Sequence, residues 1–252
     1  MKKLSGGCWA PFRRLAAWLG TGLLFLLAPA LAATPVQIEL NFSPPWSYEG
    51  PDKSAAGIEP DLLRAALRSQ GFEPRFMLVS NARLMEDFAA KRVEYASPAA
   101  MVVENPGMYR TQPYLPFLDV AMSLSKANLL IDSIADLAGK RIVAYQLASK
   151  FRGPEFAKIA ANNPAYRERA QREIQIEQLF QGRVDVVIGE RRIPTYLATK
   201  MYGPGKVSIH EIFPPDPMSG MSWSAEVGAA VDRGMQKLRD SGEYKKIMDA
   251  PR

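Results

Sequence analysis

The chain has 252 residues, 47% hydrophobic and 23% charged, with a single histidine, a single cysteine and a formal net charge of +6. One histidine and one cysteine leave no clustered ligand set for a transition metal and no disulfide framework. Four of the 32 basic side chains and none of the 26 acids lie in residues 1–32, so the remainder carries 28 against 26, and no basic stripe of the kind that tracks nucleic acid is present.

Lys2, Lys3, Arg13 and Arg14 precede an uncharged apolar run, Leu15 to Leu31, which ends in Ala30-Leu31-Ala32. A basic start, an apolar stretch and a small-x-small end describe a secretory leader. The alternative, a membrane anchor, needs roughly 20 apolar residues, slightly more than this run supplies. Cys8 comes before the apolar run, so a lipid anchor is not expected and the exported chain contains no thiol.

After the leader, Val36-Gln37-Ile38-Glu39-Leu40 alternates as a half-buried strand. Two prolines make Phe42 to Tyr48 a loop. Pro60, Asp61, Leu62, Leu63, Ala66 and Leu67 predict a helix that Gly71 ends. Phe76 to Val79 follows as a strand, 83–91 as a helix, and Tyr95 to Val103 as strand plus loop. Glu104-Asn105-Pro106-Gly107 is a turn, and Thr111 to Lys126 is expected to cross to a second half. There, strands are predicted at Ile142–Tyr145 and Val184–Ile188, and helices at Pro154–Ala161, Ile174–Phe180 and Pro194–Met201. Val207 to Ile212 alternates. Residues 214–217 break the pattern, Val227, Val231, Met235 and Leu238 share one face of a helix, and 244–248 form a last short one.

Strands alternating with helices make an α/β chain with parallel strands, and two such sets imply two lobes. Ligands of open α/β sheets bind beyond the carboxyl ends of the strands. That rule gathers 42–48, 98–104, 145–150 and 189–192 around one crevice.

The order of motifs resembles the periplasmic solute-binding proteins of type 2 topology, in particular the polar-amino-acid group (bacterial extracellular family 3). The matching pieces are Ser43-Pro44-Pro45-Trp46-Ser47, Gly57-Ile58-Glu59-Pro60-Asp61-Leu62, Gln112-Pro113-Tyr114, Asp136-Leu137-Ala138-Gly139-Lys140-Arg141-Ile142, Gly182-Arg183-Val184-Asp185 and Gly242-Glu243-Tyr244-Lys245-Lys246-Ile247. The resemblance implies a leader at 1–32, a first lobe of 33–122 and 218–252, and a second lobe with hinge strands at 123–217. It implies closure on a small polar solute, an amino acid or amine, for an ABC permease or a membrane sensor, by a periplasmic monomer without cofactor.

The strand-end rule and the resemblance together suggest site residues. Trp46 and Tyr48 form an aromatic wall, or pack their loop onto the first lobe. Where the family carries an arginine for the ligand carboxylate, this chain has Glu104, preceded by Met101 in a loop without the usual glycine and threonine; Arg110 stands near. Tyr145 and Ser149 offer hydroxyls and N–H groups from the second lobe. Glu190 takes the place of the family's ammonium-binding aspartate, the alternative being an ion pair with Arg191 or Arg192. Acids at both poles point to a cationic solute. Arg191-Arg192 reads as a solvated pair, and Asp61, Asp185 and His210 as structural. A dehydratase on the same scaffold would need a carboxylate acid/base plus cationic groups; a third reading is a relative that binds no solute and serves as a sensing module.

Overall fold

A computed structural model describes residues 33–98 and 106–251. The expected leader, Met101 and Glu104 lie outside the described residues.

β1 (Thr34–Asn41) buries Val36, Ile38 and Leu40 at alternate positions, as a strand with a covered face must. The loop after it closes through paired Ser43 and Ser47 backbones. β2 (Tyr48–Glu49) and β3 (Ala55–Ala56) form a small antiparallel ribbon. α1 (Ile58–Arg68) starts without a side-chain cap; its first N–H groups donate to Pro45 O (3.2 Å) and Trp46 O (2.9 Å) instead. Gly57, at φ +121°, permits this, because a Cβ there would stand 2.4 Å from the Trp46 carbonyl oxygen. β4 (Phe72–Val79), α2 (Asn81–Ala89), β5 (Tyr95–Ser97) and β6 (Tyr109–Arg110) follow.

The chain then crosses into β7 (Asp119–Leu124), so the expected division at 122/123 falls inside a strand of the second sheet. β8 (Ile142–Ala144), α3 (Ala148–Phe151), α4 (Gly153–Asn162), β9 (Tyr166–Glu168), α5 (Arg172–Phe180), β10 (Val186–Glu190), α6 (Arg192–Tyr202) and β11 (Val207–His210) build the second lobe. β10 begins two residues later than the apolar run, because Asp185 serves as its anchor: the carboxylate accepts from Arg141 N (2.9 Å) and Arg141 Nη2 (2.6 Å). The chain returns through β12 (Met221–Ser222), α7 (Ala225–Asp240) and α8 (Glu243–Asp249).

Two separate five-stranded sheets result, ordered β4-β1-β5-β12-β6 and β11-β7-β10-β8-β9. β1, β4 and β5 run parallel, as do β8, β9 and β10; β12 and β7 run antiparallel to their neighbours. The crossover segments meet in two bridges, Leu115 to Met218 and Leu118 to Pro215. The largest apolar cluster does not stop at the seam. It holds Leu40, Trp46 and Leu63 of the first lobe together with Val187, Ile193 and Leu197 of the second.

Candidate functional site

β10 ends with Glu190 facing the first lobe, and the side chain is buried. Its Oε2 accepts from Trp46 Nε1 at 2.7 Å and from the first N–H groups of α6, Arg192 (3.1 Å) and Ile193 (3.3 Å). Burial pushes the Glu190 carboxyl up to about 7, against the pull of these donors, and the Asp119 carboxylate adds to the rise. Trp46, with 1% of its surface exposed, comes from the first lobe. Its backbone is fixed by Trp46 N to Ser43 O (2.8 Å) and by the start of α1. The Phe117 ring lies 4.7 Å from the indole, tilted by 42°. The Arg192 guanidinium stands 5.5 Å over the indole, and its Nη1 donates to Met248 O at 3.1 Å.

Opposite Glu190 in the ladder stands Asp119, the first residue of β7. It accepts from Tyr145 Oη (2.7 Å) and pairs with Arg152 Nε at 3.1 Å. Burial raises its pKa, and Arg152 opposes the rise. Arg152 also donates to Asp216 at 2.8 Å, so one guanidinium holds both crossover segments. Arg172 stacks over the Tyr145 ring at 5.1 Å; burial lowers its pKa, and its Nη1 has no hydrogen-bond partner among the described residues. Arg172 and Glu190 share a cavity of about 10 Å³, the scale of one water. A wider groove of about 500 Å³ lies along the seam, between Pro45 and Ile58 on one side and Arg192, Thr195, Tyr196 and Lys200 on the other.

Behind Trp46, Glu59 is fully enclosed. Tyr114 Oη donates to it at 2.7 Å and lies 2.9 Å from Ser97 Oγ and 3.1 Å from Tyr95 Oη. Burial pushes Glu59 up to about 7 as well, with the Ser97 and Tyr114 hydrogen bonds opposing.

No protein-family model and no curated relative matches the sequence. Solved structures do. An ancestral arginine-binding protein bound to arginine superposes with a TM-score of 0.65 at 18% identity, over 86% of this chain and 97% of its own. Substrate-binding domain 2 of Lactococcus lactis GlnP, in its open conformation, gives 0.63 at 21% over 86% and 97%. A histidine kinase sensor domain with similarity to periplasmic binding proteins gives 0.67 at 14% over 86% and 95%. The fold is that of the two-lobe periplasmic binding proteins.

Within this periplasmic-binding fold, two of the residues expected from sequence meet across the seam, Trp46 and Glu190. The relation differs from the expected one: the indole is a partner of the carboxylate and not a free wall. Tyr48 is half-buried on β2. Tyr145 and Ser149 turn inward. Tyr145 is held by Asp119, and Ser149 gives both N–H (2.9 Å) and hydroxyl (2.7 Å) to Glu168, which also takes the Leu147 N–H. An internal carboxylate thus satisfies the donors that were expected to face a ligand. Arg110 is exposed on β6, the edge strand of the first sheet, outside the group around Glu190. Of the pair read as solvated, Arg191 is exposed and pairs with Glu211 at the surface, whereas Arg192 is half-buried and reaches across to the first lobe.

Asp119, Arg152, Glu168 and Arg172 were not expected. Glu168 and Arg172 flank the carboxyl end of β9, so the strand-end rule would have placed them had that three-residue strand been visible. Asp119 and Arg152 carry no local signal; their roles depend on partners far away in the chain.

Proposed function

We propose that the chain is an exported solute-binding module that closes its two lobes on a small amine-bearing solute, an amino acid or polyamine, and presents the closed form to an ABC permease or a membrane sensor. The observation that carries this reading is Glu190, a buried carboxyl at the seam of two α/β lobes, held on the last residue of a central strand. A carboxylate there suits an ammonium; the face of Trp46 is already taken by the Arg192 guanidinium, 5.5 Å over the ring. Neighbouring structures support the solute class and both kinds of partner: one is an arginine-binding protein bound to arginine, one an amino acid ABC transporter substrate-binding protein, and one a histidine kinase sensor domain. The leader-like start supports export, and among the described residues no helix is long and apolar enough to cross a membrane.

The reading assigns binding and not turnover. Glu59, Asp119 and Glu190, the buried carboxyls near the seam, all face donors of the protein itself. Conversion of a cyclic carboxylic acid by the purified protein would overturn that part.

The test is a thermal-shift screen over amino acids, polyamines, organic acids and osmolytes. A solute at 100 times its Kd stabilises by about 2.7 kcal/mol, a clear rise in Tm. The expected hit bears an ammonium or guanidinium, and Glu190→Gln is expected to weaken it tenfold or more, since a hydrogen bond to a charged group contributes about 1.5–3 kcal/mol. Tight binding of an anion, unchanged by Glu190→Gln, would sink the reading. A second reading, a module that senses or docks without solute, is favoured by the 10 Å³ cavity beside Glu190; a screen with no hit would support it.

A further inference from the structure

The seam of this molecule is already furnished. Trp46 is anchored to the first lobe through its backbone, and Glu190 to the second through β10. The 2.7 Å bond between them spans the seam, so it exists only while the lobes are together. The same oxygen, Oε2, holds two N–H groups of α6, so that oxygen has little capacity for a fourth donor. Arg192 covers the indole from the second lobe and bonds the Met248 carbonyl in the first, a second tie made by the same cluster. The Phe117 ring also packs against the indole, and the apolar core runs through Trp46 from one lobe to the other.

A ring with 1% exposure, fully packed and bonded through its one polar atom, is where a bound molecule would make the same contacts. We propose that Trp46 is a built-in occupant of the seam, an internal competitor for Glu190 that holds the two lobes closed without a solute between them. This deepens the proposed function, on which it rests for the identity of the competing solute; the latch itself does not depend on that identity. A solute that takes Oε2 of Glu190 has to displace an aromatic N–H donor already seated there. An ammonium or guanidinium has the stronger, charge-assisted claim on the carboxylate, and a neutral solute does not.

The experiment uses the purified, solute-free protein. Small-angle scattering compares it with Trp46→Phe, which keeps an apolar ring and loses the N–H, and with Glu190→Ala. Far-UV circular dichroism is measured on each to show that the lobes remain folded. The expected result is a compact wild type and a shift of both variants to a larger radius of gyration. In parallel, Trp223→Phe leaves Trp46 as the only tryptophan after residue 32. Its emission is expected to be blue and to move red when Glu190→Ala is added. Scattering that coincides for wild type and Trp46→Phe, or a Trp46 emission that is already red with Glu190 intact, overturns the latch. The two ideas separate cleanly. If neither L-arginine nor putrescine nor any other solute raises Tm while the variants still expand, the solute reading fails and the latch stands.

Discussion

Glu39, Glu59 and Glu190 are all buried, and burial pushes each of them up to about 7; for Glu39 the Asp87 carboxylate beside it adds to the effect. The folded chain therefore keeps protons that the unfolded chain releases near pH 4.5. Between pH 4.5 and 7 the native state binds more protons, so stability falls as pH rises through that window and levels off above it. For Glu59 and Glu190, both fully enclosed, the effect is of order 3 kcal/mol each. Thermal melts are expected to give a lower Tm at pH 8 than at pH 5. Glu59→Gln removes one titrating group and keeps the shape, so the difference between pH 5 and pH 8 is expected to shrink by about that amount. A pH profile of Glu59→Gln that overlays the wild type would show that Glu59 ionises normally.

At the scale of elements, α1 and α7 cross so closely at Gly234 that no side chain fits at that point. A Cβ on Gly234 would lie 2.4 Å from the Ala66 carbonyl oxygen, and backbone cannot move aside as a side-chain tip can. Gly234→Ala is expected to force the helices apart and cost about 1–3 kcal/mol, read as a lowered urea midpoint with an unchanged slope. These helices were legible because each buries a continuous stripe: Leu62, Leu63, Ala66 and Leu67 on one, Val227, Val231, Met235 and Leu238 on the other. β4 was only half legible. Pro74 sits inside it, and proline is tolerated there because β4 is the edge strand of its sheet, which a single sequence does not reveal. The two-residue strands β2, β3, β6 and β12 have no period to detect; β12 exists because β5 and β6 flank it. The site divides in the same way. Glu190 was legible as the charge that ends an apolar strand. The inward turn of Ser149 was not, because Glu168 reaches it from a strand of three residues.

For the molecule as a whole, the question is what lets two lobes with separate sheets move as a pair. The crossover segments are bridged at Leu115–Met218 and Leu118–Pro215, and just beyond them Arg152 ties Asp119 to Asp216. Asp119 and Arg152 are both nearly enclosed, with side chains 9% and 11% exposed, whereas Asp216 is open to solvent. Removing one member of a buried pair leaves the other uncompensated and costs about 3–5 kcal/mol. Arg152→Ala is therefore expected to lower stability by an amount near the bottom of that range, since Tyr145 still donates to Asp119. Asp216→Asn removes only the exposed arm and is expected to change stability by less than about 1 kcal/mol. A hinge clamp and a simple structural pair then differ in a second reading. If Arg152 couples the segments, Arg152→Ala broadens the distribution of distances between spin labels placed on α2 and α4, one in each lobe, at temperatures where both lobes remain folded. If the distribution keeps its width, the guanidinium only fills a buried position and the hinge geometry is set by the backbone bridges alone.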